Sequence, residues 1–351
     1  MDLLEFFSAY YDPSLTDLSS SSAPAEFECS KSEVDSGDLD YVAPTGADDL
    51  RDLIAQDYVG LTRDNIVLTS GASEALAAFA HATLGPGAPV WTARGTYPSF
   101  LEAARRLGAE IKQTALPEPH LDVISLCNPS VPDGQLLNPG VFDRCRWLLV
   151  DESHLELVHN GSAIRRAAGI SPRTVSVSGI SKSLGLGGVR LGWVASLDRD
   201  LLARIDREVQ LLSGGPSSLS VTTAYEALEH RSELLAQTLR RVMRNAPGVY
   251  EALDDYGWRY RRAEGGLTIE AWPPDSAGGA LEERLLAEGY FLIPCSVYGS
   301  PGSYRITLLC DPSKLRAALE IVGEPLLRTT ASGHSRGRFS SLAERVWRSW
   351  T

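Results

Sequence analysis

The sequence predicts an α/β fold, with a mostly parallel central sheet in a large domain and a smaller α+β domain toward the C-terminus. Between residues 48 and 196, short apolar runs typical of buried strands alternate with segments whose apolar residues recur at helical spacing. From Trp258 the pattern changes to short strand-like runs separated by glycine and proline. A length of 351 residues is enough for two domains.

The elements follow from these patterns in chain order. A short helix is expected at Leu3–Tyr11, and apolar residues at helical spacing predict another over Asp48–Tyr58. In the large domain we expect strands at Asn65–Thr69, Ala88–Thr92, Leu121–Leu126, Trp147–Val150, Thr174–Ser178 and Val189–Ser196, and helices at Ser73–Leu84, Tyr97–Leu107, Leu201–Leu212 and Ser220–Met243. In the smaller domain we expect strands at Thr268–Trp272, Phe291–Pro294 and Tyr304–Leu309, and helices at Ala280–Glu288 and Pro312–Val322.

These elements divide the chain into four parts. Residues 1–40 read as an N-terminal arm or loosely packed lead-in, and residues 41–240 as the large domain. Residues 241–323 form the small domain. The extension at 324–351 is basic and serine-rich, which favours a weakly ordered tail, although its end could form one short amphipathic helix.

Composition excludes several functions. The net charge of -12 argues against binding to nucleic acid or an anionic membrane surface. No apolar run reaches transmembrane length, and the acidic N-terminus lacks the basic region of a secretory signal. The cysteines are odd in number and lack CxxC spacing, so we expect no disulfide framework, no metal site and a reduced, cytoplasmic setting. They are Cys29, Cys127, Cys145, Cys295 and Cys310.

Lys182 is the residue with the clearest chemical signal. It lies in Ser178–Trp193, SGISKSLGLGGVRLGW, where a glycine-rich turn leads to Arg190, eight residues after the lysine. A lysine desolvated among small and apolar residues has a lowered pKa, and its neutral amine can form a Schiff base. A nearby arginine can bind a phosphate through its forked guanidinium. Amine and phosphate anchor together are what pyridoxal 5'-phosphate (PLP) requires.

Two strand ends carry further candidates. The strand before Ser70-Gly71 passes at once into a helix, whose free N–H groups could hold a phosphate, although such turns are common in any α/β fold. Asp151 and Glu152 end another buried strand, where open α/β sheets place their ligands. A carboxylate there could pair with a protonated pyridine nitrogen. The alternative is that both acids cap the next helix.

Tyr97 and Arg305 are candidates for the ring and the substrate. Tyr97 begins a helix after a strand, so it could stack on a flat cofactor ring or simply belong to the core. Arg305 interrupts a strand of hydrophobic and β-branched residues. It could point to solvent, and it is also suited to a bidentate contact with a substrate carboxylate.

In their order along the chain, these pieces resemble the class I/II aminotransferases, which are fold type I PLP-dependent enzymes. The resemblance spans about residues 41–322 and implies a PLP cofactor, an α-amino acid substrate and a homodimer. It implies that Lys182 is the Schiff-base lysine, Arg190 the phosphate arginine, Asp151 the partner of the pyridine nitrogen, Tyr97 the stacking aromatic, Arg305 the carboxylate arginine, and Gly71, Ala72 and Ser73 the phosphate turn. Tyr41, in YVAPTG, matches the tyrosine that reaches across the dimer to the neighbouring phosphate.

Three positions depart from the family pattern. In Asn128-Pro129-Ser130-Val131-Pro132-Asp133-Gly134, the cofactor-contacting motif keeps Asn128 but puts Val131 where a second asparagine would bind the phenolic oxygen of PLP. His154 replaces the tyrosine that shares this oxygen, and a histidine there could titrate near neutral pH. Gly179 stands where a phosphate-binding Ser or Thr is frequent, and Ser178 or Ser181 would compensate.

The activity is therefore open between related chemistries. One interpretation is an aminotransferase in which His154 donates in place of tyrosine. The other is elimination, decarboxylation or cyclisation, because hydrogen bonds to the ring oxygen tune the electronics of the ring. Asp17–Ser21, the helix around Ala224–His230 and the segment Leu292–Arg305 resemble the capreomycidine synthases, which are PLP-dependent cyclases. A non-catalytic protein on the same fold is a third possibility.

Overall fold

The computed structural model of the chain describes residues 1–24, 27, 47–114, 117, 120–141, 145–159, 161, 165–278 and 280–325. Tyr41, Cys29 and the possible C-terminal helix lie outside these residues. Within them, the helices are α1 (Leu3–Tyr10), α2 (Asp48–Ala55), α3 (Ala72–Thr83), α4 (Pro98–Arg106), α5 (Ile180–Ser183), α6 (Arg199–Leu212), α7 (Ser218–Glu229), α8 (Arg231–Asp255), α9 (Leu281–Ala287) and α10 (Pro312–Val322). The strands are β1 (Thr16–Asp17), β2 (Ile66–Thr69), β3 (Pro89–Thr92), β4 (Glu110–Lys112), β5 (Leu121–Cys127), β6 (Cys145–Asp151), β7 (Thr174–Gly179), β8 (Gly192–Ser196), β9 (Arg259–Tyr260), β10 (Thr268–Trp272), β11 (Tyr290–Phe291), β12 (Ile293–Pro294) and β13 (Tyr304–Thr307).

A mostly parallel central sheet confirms the predicted fold class. In the described part of the chain its seven strands have the order β2-β8-β7-β6-β5-β3-β4, and only β8 runs antiparallel to its neighbours. Helices α3, α4 and α6 cover one face, and α2 and α7 pack on the other. A sheet covered on both faces buries its strands completely, which is why their sequences read as continuous apolar runs.

A second, antiparallel sheet follows along the chain. Among the described residues it contains four strands in the order β12-β13-β10-β9, and it packs against α8, α9 and α10. The predicted boundary at residue 240 falls inside α8. The division of the chain into domains therefore stays a prediction.

Within residues 1–24, helix α1 and the segment around β1 pack against later parts of the chain. Helix α1 buries Leu3 and Phe6 against Phe291, Ile293 and Tyr298. Strand β1 pairs in parallel with β11, and the next residue, Leu18, belongs to the core of the antiparallel sheet. Aromatic and aliphatic side chains hold this segment by packing against residues that are far away in the chain. A pattern of neighbouring residues cannot reveal such contacts.

Other differences from the predicted elements are local. The helix expected over Ser220–Met243 is two helices, α7 and α8, because at His230 the backbone leaves helical geometry with ψ of 13°. The strand expected at Phe291–Pro294 is divided between β11 and β12, which join different sheets. Strands β1, β4 and β9 have only two or three residues each, which is too short for a period-two pattern to be recognised.

Candidate active site

The predicted site residues from the large sheet meet at one edge. Strands β5, β6 and β7 are parallel and end at Cys127, Asp151 and Gly179, and the register places Cys127 opposite Asp151. Gly192, the first residue of β8, pairs with both Gly179 and Thr69. The carboxyl edge of a parallel sheet is where α/β folds open a ligand crevice.

The Arg190 guanidinium lies beside the N-terminus of α3 at this edge. Gly71 precedes α3 with φ of +88°, and a Cβ there would lie 2.6 Å from Nη2 of Arg190. At Gly192, a Cβ would lie 2.5 Å from the backbone nitrogen of Ala72. The backbone of Arg190 is in the left-handed region, with φ of 57°. Nη1 of this arginine donates to the Gly187 carbonyl at 3.0 Å. The glycines thus let a guanidinium approach the free N–H groups of a helix N-terminus, a combination suited to an anion.

Lys182 extends from α5 into the same edge. Its Nζ donates to Oγ of Ser21 at 3.1 Å and to Oγ of Ser22 at 3.2 Å. Burial lowers the pKa of the amine to about 8, and the charges of Arg305 and Arg190 act in the same direction while Asp151 opposes them. The fold therefore brings the lysine within the electrostatic range of three of the predicted partners.

Cys127 lies between the segments that carry Asp151 and Tyr97. It is the strand neighbour of Asp151, and its thiol contacts the turn at Gly95, two residues before Tyr97. The Asp151 carboxylate accepts from the Ser153 backbone at 3.0 Å, and burial raises its pKa while Ser153 and Lys182 oppose the shift. The thiol of Cys127 donates to the Gly95 carbonyl at 3.5 Å. Tyr97 is the N-cap residue of α4, and its side chain packs against the same cluster as Val131.

His154 is partly buried, and its buried Nδ1 has no hydrogen-bond partner among the described residues. Burial lowers its pKa to about 3, and the charges of Lys182 and Arg305 add to the shift. Burial and the two cations thus favour the neutral imidazole, whereas the sequence left open that His154 could titrate near neutral pH. The Val131 side chain packs against the apolar cluster that contains Phe6, Phe291 and Tyr298.

The neighbouring polar residues have structural partners. Asn128 accepts from the Leu137 backbone through Oδ1 at 2.9 Å, and its own backbone nitrogen donates to the Asp151 carbonyl at 2.9 Å. Ser178 donates to the Glu152 carbonyl at 3.4 Å, and Ser181 lies in α5 next to the lysine. A Cβ at Gly179 would lie 2.8 Å from the Leu191 carbonyl, so the close approach of that chain segment explains why no serine or threonine stands there.

Arg305 is buried in β13 with only 3% of its surface exposed, so the solvent-facing alternative is excluded. Its Nη1 donates to the Tyr298 hydroxyl, and its buried Nε has no hydrogen-bond partner in the part of the chain that the structure describes. Glu270 lies opposite on β10, but its carboxylate accepts from Ser300 at 2.5 Å and Ser303 at 2.6 Å. A buried guanidinium with unused donors favours an anionic ligand, because an unsatisfied buried charge is costly.

Sequence reasoning singled out Ser21 only through the family resemblance of Asp17–Ser21, and it did not place Ser22 or Tyr298 in the site. The serine run was noted only as a resemblance, and its contact with Lys182 spans 160 residues or more of chain. Tyr298 lies in a short 3-10 turn before β13, where no sequence pattern marks it as a partner of Arg305.

Glu152, the neighbour of Asp151, points away from the site into a buried ionic network. It is 1% exposed, and burial raises its pKa to about 7 although Arg166 opposes the shift. Arg166 contacts Glu156 at 2.9 Å, Asp57 at 3.4 Å and Glu152 at 3.6 Å. Arg231 pairs with the same Asp57 at 2.5 Å. This network lies directly behind the strand end that carries Asp151.

Replacing Arg166 with methionine is expected to destabilise the protein by about 3–5 kcal/mol, because the buried Glu152 and the partly buried Asp57 and Glu156 lose a common partner. Urea denaturation at pH 8 measures this, since every carboxylate is then mainly ionised in the unfolded chain. Arg199, an exposed arginine paired with Asp64, is the control. Arg199→Met is expected to cost less than about 1 kcal/mol. Equal effects of the two substitutions would contradict a structural role of the network.

The fold, and the amine of lowered pKa close to Arg190, Asp151 and Arg305, are those of a PLP-dependent enzyme. The chain belongs to the family of class I and II aminotransferases, whose sequence profile matches residues 15–322. Arginine–pyruvate transaminase of Pseudomonas aeruginosa is 25% identical over 322 residues, which cover 80% of this chain and 81% of that protein. Capreomycidine synthase of Streptomyces vinaceus is 28% identical over 302 residues, which cover 78% and 77%.

Solved structures show the same fold. An aspartate aminotransferase double mutant of Thermus thermophilus aligns with a TM-score of 0.76 at 19% identity, over 91% of this chain and 93% of that one. The PLP-dependent cyclase OrfR aligns with a TM-score of 0.76 at 23% identity, over 91% and 94%. Within the described residues, no helix is both long and apolar enough to span a membrane.

Proposed function

We propose that this protein is an aminotransferase that acts on an α-amino acid, with Lys182 as its reactive amine. The observation that carries the proposal is the environment of this one residue. Its pKa is lowered to about 8, and Arg190, Asp151 and Arg305 all act electrostatically on it. Burial and the two arginines keep part of the amine neutral near neutral pH, and an amine that attacks a carbonyl must be neutral. A strongly shifted pKa of this kind is typical of a functional site.

The residues present fit PLP. Arg190 and the N–H groups of Ala72 and Ser73 would hold the phosphate, with Ser178 and Ser181 beside them. Gly71 would contribute the space for this contact, because its own N–H donates to the Thr69 carbonyl at 2.8 Å. Lys182 would hold the aldehyde carbon covalently, and Asp151 would pair with the pyridine nitrogen. Tyr97 would cover one face of the ring, and Asn128 and His154 would flank its edge. The unpartnered Nδ1 of His154 supports this fit, because a buried polar atom requires a partner.

The chain's own groups then have distinct tasks toward the substrate. Arg305 would bind the α-carboxylate through its unused donors, with Tyr298 fixing the plane of the guanidinium. Lys182, neutral in part because its pKa is near 8, would take the proton from the substrate Cα onto Nζ. The bound cofactor supplies an electron sink for the pair left at this carbon.

The oxygen side of the ring site supports a second candidate function. Val131 offers no hydrogen bond there, and His154 stays neutral at neutral pH since its pKa is about 3. Fewer hydrogen bonds to the ring oxygen would alter the electron-withdrawing strength of a bound PLP ring. Together with the likeness to capreomycidine synthase, this favours a lyase, decarboxylase or cyclase as the alternative.

Incubation with single amino acids separates the two candidates. An aminotransferase given an amino donor and no keto acid should convert its cofactor stoichiometrically to pyridoxamine phosphate, which chromatography detects. Catalytic release of a keto acid or ring product, with the cofactor recovered as PLP, would replace the first candidate with the second. Binding of PLP without turnover of any amino acid in a broad panel would overturn both and indicate a non-catalytic protein.

We also propose a cytoplasmic homodimer in which Tyr41 reaches the phosphate site of the neighbouring subunit. The family resemblance at YVAPTG supports this assignment. The proposal keeps the division into arm (1–40), large domain (41–240), small domain (241–323) and extension (324–351). Sedimentation equilibrium tests the dimer, and loss of PLP affinity in Tyr41→Phe tests the contact.

Gly71→Ala is expected to weaken PLP binding by about tenfold or more, because a methyl group would displace the Arg190 guanidinium and strain a left-handed backbone. Fluorescence titration of the apo-protein with PLP measures the change in Kd. Gly188→Ala is the matched control, since a Cβ at this position in the same loop as Arg190 meets nothing within 4 Å. An unchanged Kd in Gly71→Ala would rule out a phosphate site beside Arg190.

A further inference from the structure

We infer that Ser21 and Ser22 form a hydroxyl cradle that positions the Lys182 amine while it carries a proton. They are positioning residues, since they act through the lysine. The inference rests on the proposed function, because it assigns a task to two residues of the same site. It adds that an N-terminal segment of the chain, rather than the domain that carries the lysine, sets the direction of the amine.

The contacts that carry the inference are two hydrogen bonds to one atom. Nζ of Lys182 lies 3.1 Å from Oγ of Ser21 and 3.2 Å from Oγ of Ser22, and both hydroxyl oxygens accept. Burial of the amine raises the value of each contact, because a buried ammonium lacks water to replace a lost partner.

The cradle is anchored independently of the lysine. Ser19 is buried, accepts from the Ile293 backbone at 2.9 Å and donates to the backbone carbonyl of Arg305 at 2.5 Å. The Leu18 carbonyl accepts from the Thr307 backbone at 2.8 Å. The chain then turns at Ser20, whose Oγ contacts the backbone nitrogen of Ser22 at 3.3 Å. Ser21 and Ser22, two and three residues after the attachment of Ser19 to the Arg305 backbone, then reach the amine.

This anchoring gives the cradle a chemical consequence. An ammonium group has three N–H donors. When Lys182 has accepted a proton from the substrate Cα, two of its donors would be held by Ser21 and Ser22. The third would be directed toward the reacting carbons, so the proton returns along a defined line. Because Ser19 fixes the same segment to Arg305, the directions of the amine and of the carboxylate site are set by one piece of backbone.

The cradle also predicts a sign for the pKa of Lys182. Hydroxyl oxygens that accept from the ammonium favour its charged form, so their removal should lower the pKa by about 1 unit. A loosened segment would act in the opposite direction, because water entering the site would raise the pKa toward the ordinary value for lysine. The direction of the shift therefore separates positioning from simple shielding.

The experiment titrates Lys182 in the full-length apo-protein. Short pulses of PLP at a series of pH values are quenched with borohydride, and the modified Lys182 peptide is quantified by mass spectrometry. The rate follows the neutral fraction of the amine, so its midpoint reports the pKa. The variants are Ser21→Ala/Ser22→Ala, the hydroxyl-retaining Ser21→Thr/Ser22→Thr, and Ser14→Ala as a remote exposed control. The single variants Ser21→Ala and Ser22→Ala are measured in case the double variant does not fold.

The cradle predicts a midpoint about 1 pH unit lower in the double alanine variant, a smaller decrease in each single variant, and a wild-type midpoint in the threonine and Ser14→Ala variants. An unchanged or higher midpoint in the alanine variants, or a shift of equal size in the threonine variant, would overturn the inference and leave the proposed function intact. If wild-type Lys182 is not modified while another lysine is, the proposed function fails first.

Discussion

Lys182→Ala is expected to yield a protein that forms no covalent bond with PLP and loses catalytic turnover by at least about 10²–10⁴-fold, the usual contribution of a positioned acid–base group. The visible absorption band of the bound cofactor should disappear with the amine. The substitution removes a half-buried cation whose pKa is already lowered, so the fold should tolerate it. Absorbance after addition of PLP and steady-state rates with an amino donor measure both effects.

The other lysines provide the control. The chain has only four, Lys31, Lys112, Lys182 and Lys314, so borohydride reduction followed by peptide mapping assigns the attachment unambiguously. Lys314 is exposed on α10, and Lys314→Ala should retain the band and the activity. If the Lys182→Ala protein still forms a PLP bond that borohydride reduces, Lys182 is not the lysine that binds PLP.

Arg305→Leu is expected to lower kcat/KM for the amino acid by about 30-fold to several thousandfold. This corresponds to about 2–5 kcal/mol for loss of one partner of a buried charge pair. Arg305→Lys should recover part of the loss, since it keeps the charge but not the forked geometry. PLP affinity should change little, because the assigned phosphate contacts are at Arg190 and α3. Rates as a function of amino acid concentration measure these effects.

The same substitution has a consequence for pH. Arg305 lowers the pKa of Lys182, so without it this pKa should rise above about 8. The fraction of neutral amine at pH 7 then falls, and the alkaline shift should appear in the PLP-trapping profile. Arg259→Leu is the matched control, an exposed arginine on β9 of the same antiparallel sheet. If Arg259→Leu and Arg305→Leu affected kcat/KM equally, the assignment of the carboxylate site to Arg305 would be wrong.

Much of the fold could be predicted because its signals are local. Helical spacing in α3 and α10 and the apolar runs of β5, β6 and β7 place these elements to within two residues of their observed bounds. The strands that were missed, β1, β4 and β9, have two or three residues each. Strand β1 also exists only through its pairing with β11, which lies far away in the chain. The division of the predicted helix at His230 is a backbone turn between two helices of similar composition, so no residue pattern marks it.

Within the site, residues that are adjacent in the sequence have different surroundings, and the sequence does not show which residue has which. Asp151 and Glu152 are adjacent acids at a strand end, yet Asp151 faces Lys182 and Glu152 enters the network of Arg166. Their side chains point to opposite sides of the backbone, and the surroundings on each side are decided by distant segments. The sequence left open whether His154 titrates near neutral pH, and the surroundings that lower its pKa, burial and the charges of Lys182 and Arg305, come from distant segments.

The sequence by itself determined the α/β architecture and the Lys182–Arg190 turn, since strand and helix periods and glycine-dependent turns act over a few residues. It also determined the family. Only the tertiary structure decided that Ser21 and Ser22 meet the lysine, that Arg305 is buried beside Tyr298, and that His154 is neutral. These features depend on contacts between segments far apart in the chain and on the desolvation that packing imposes, and no local pattern of residues encodes either.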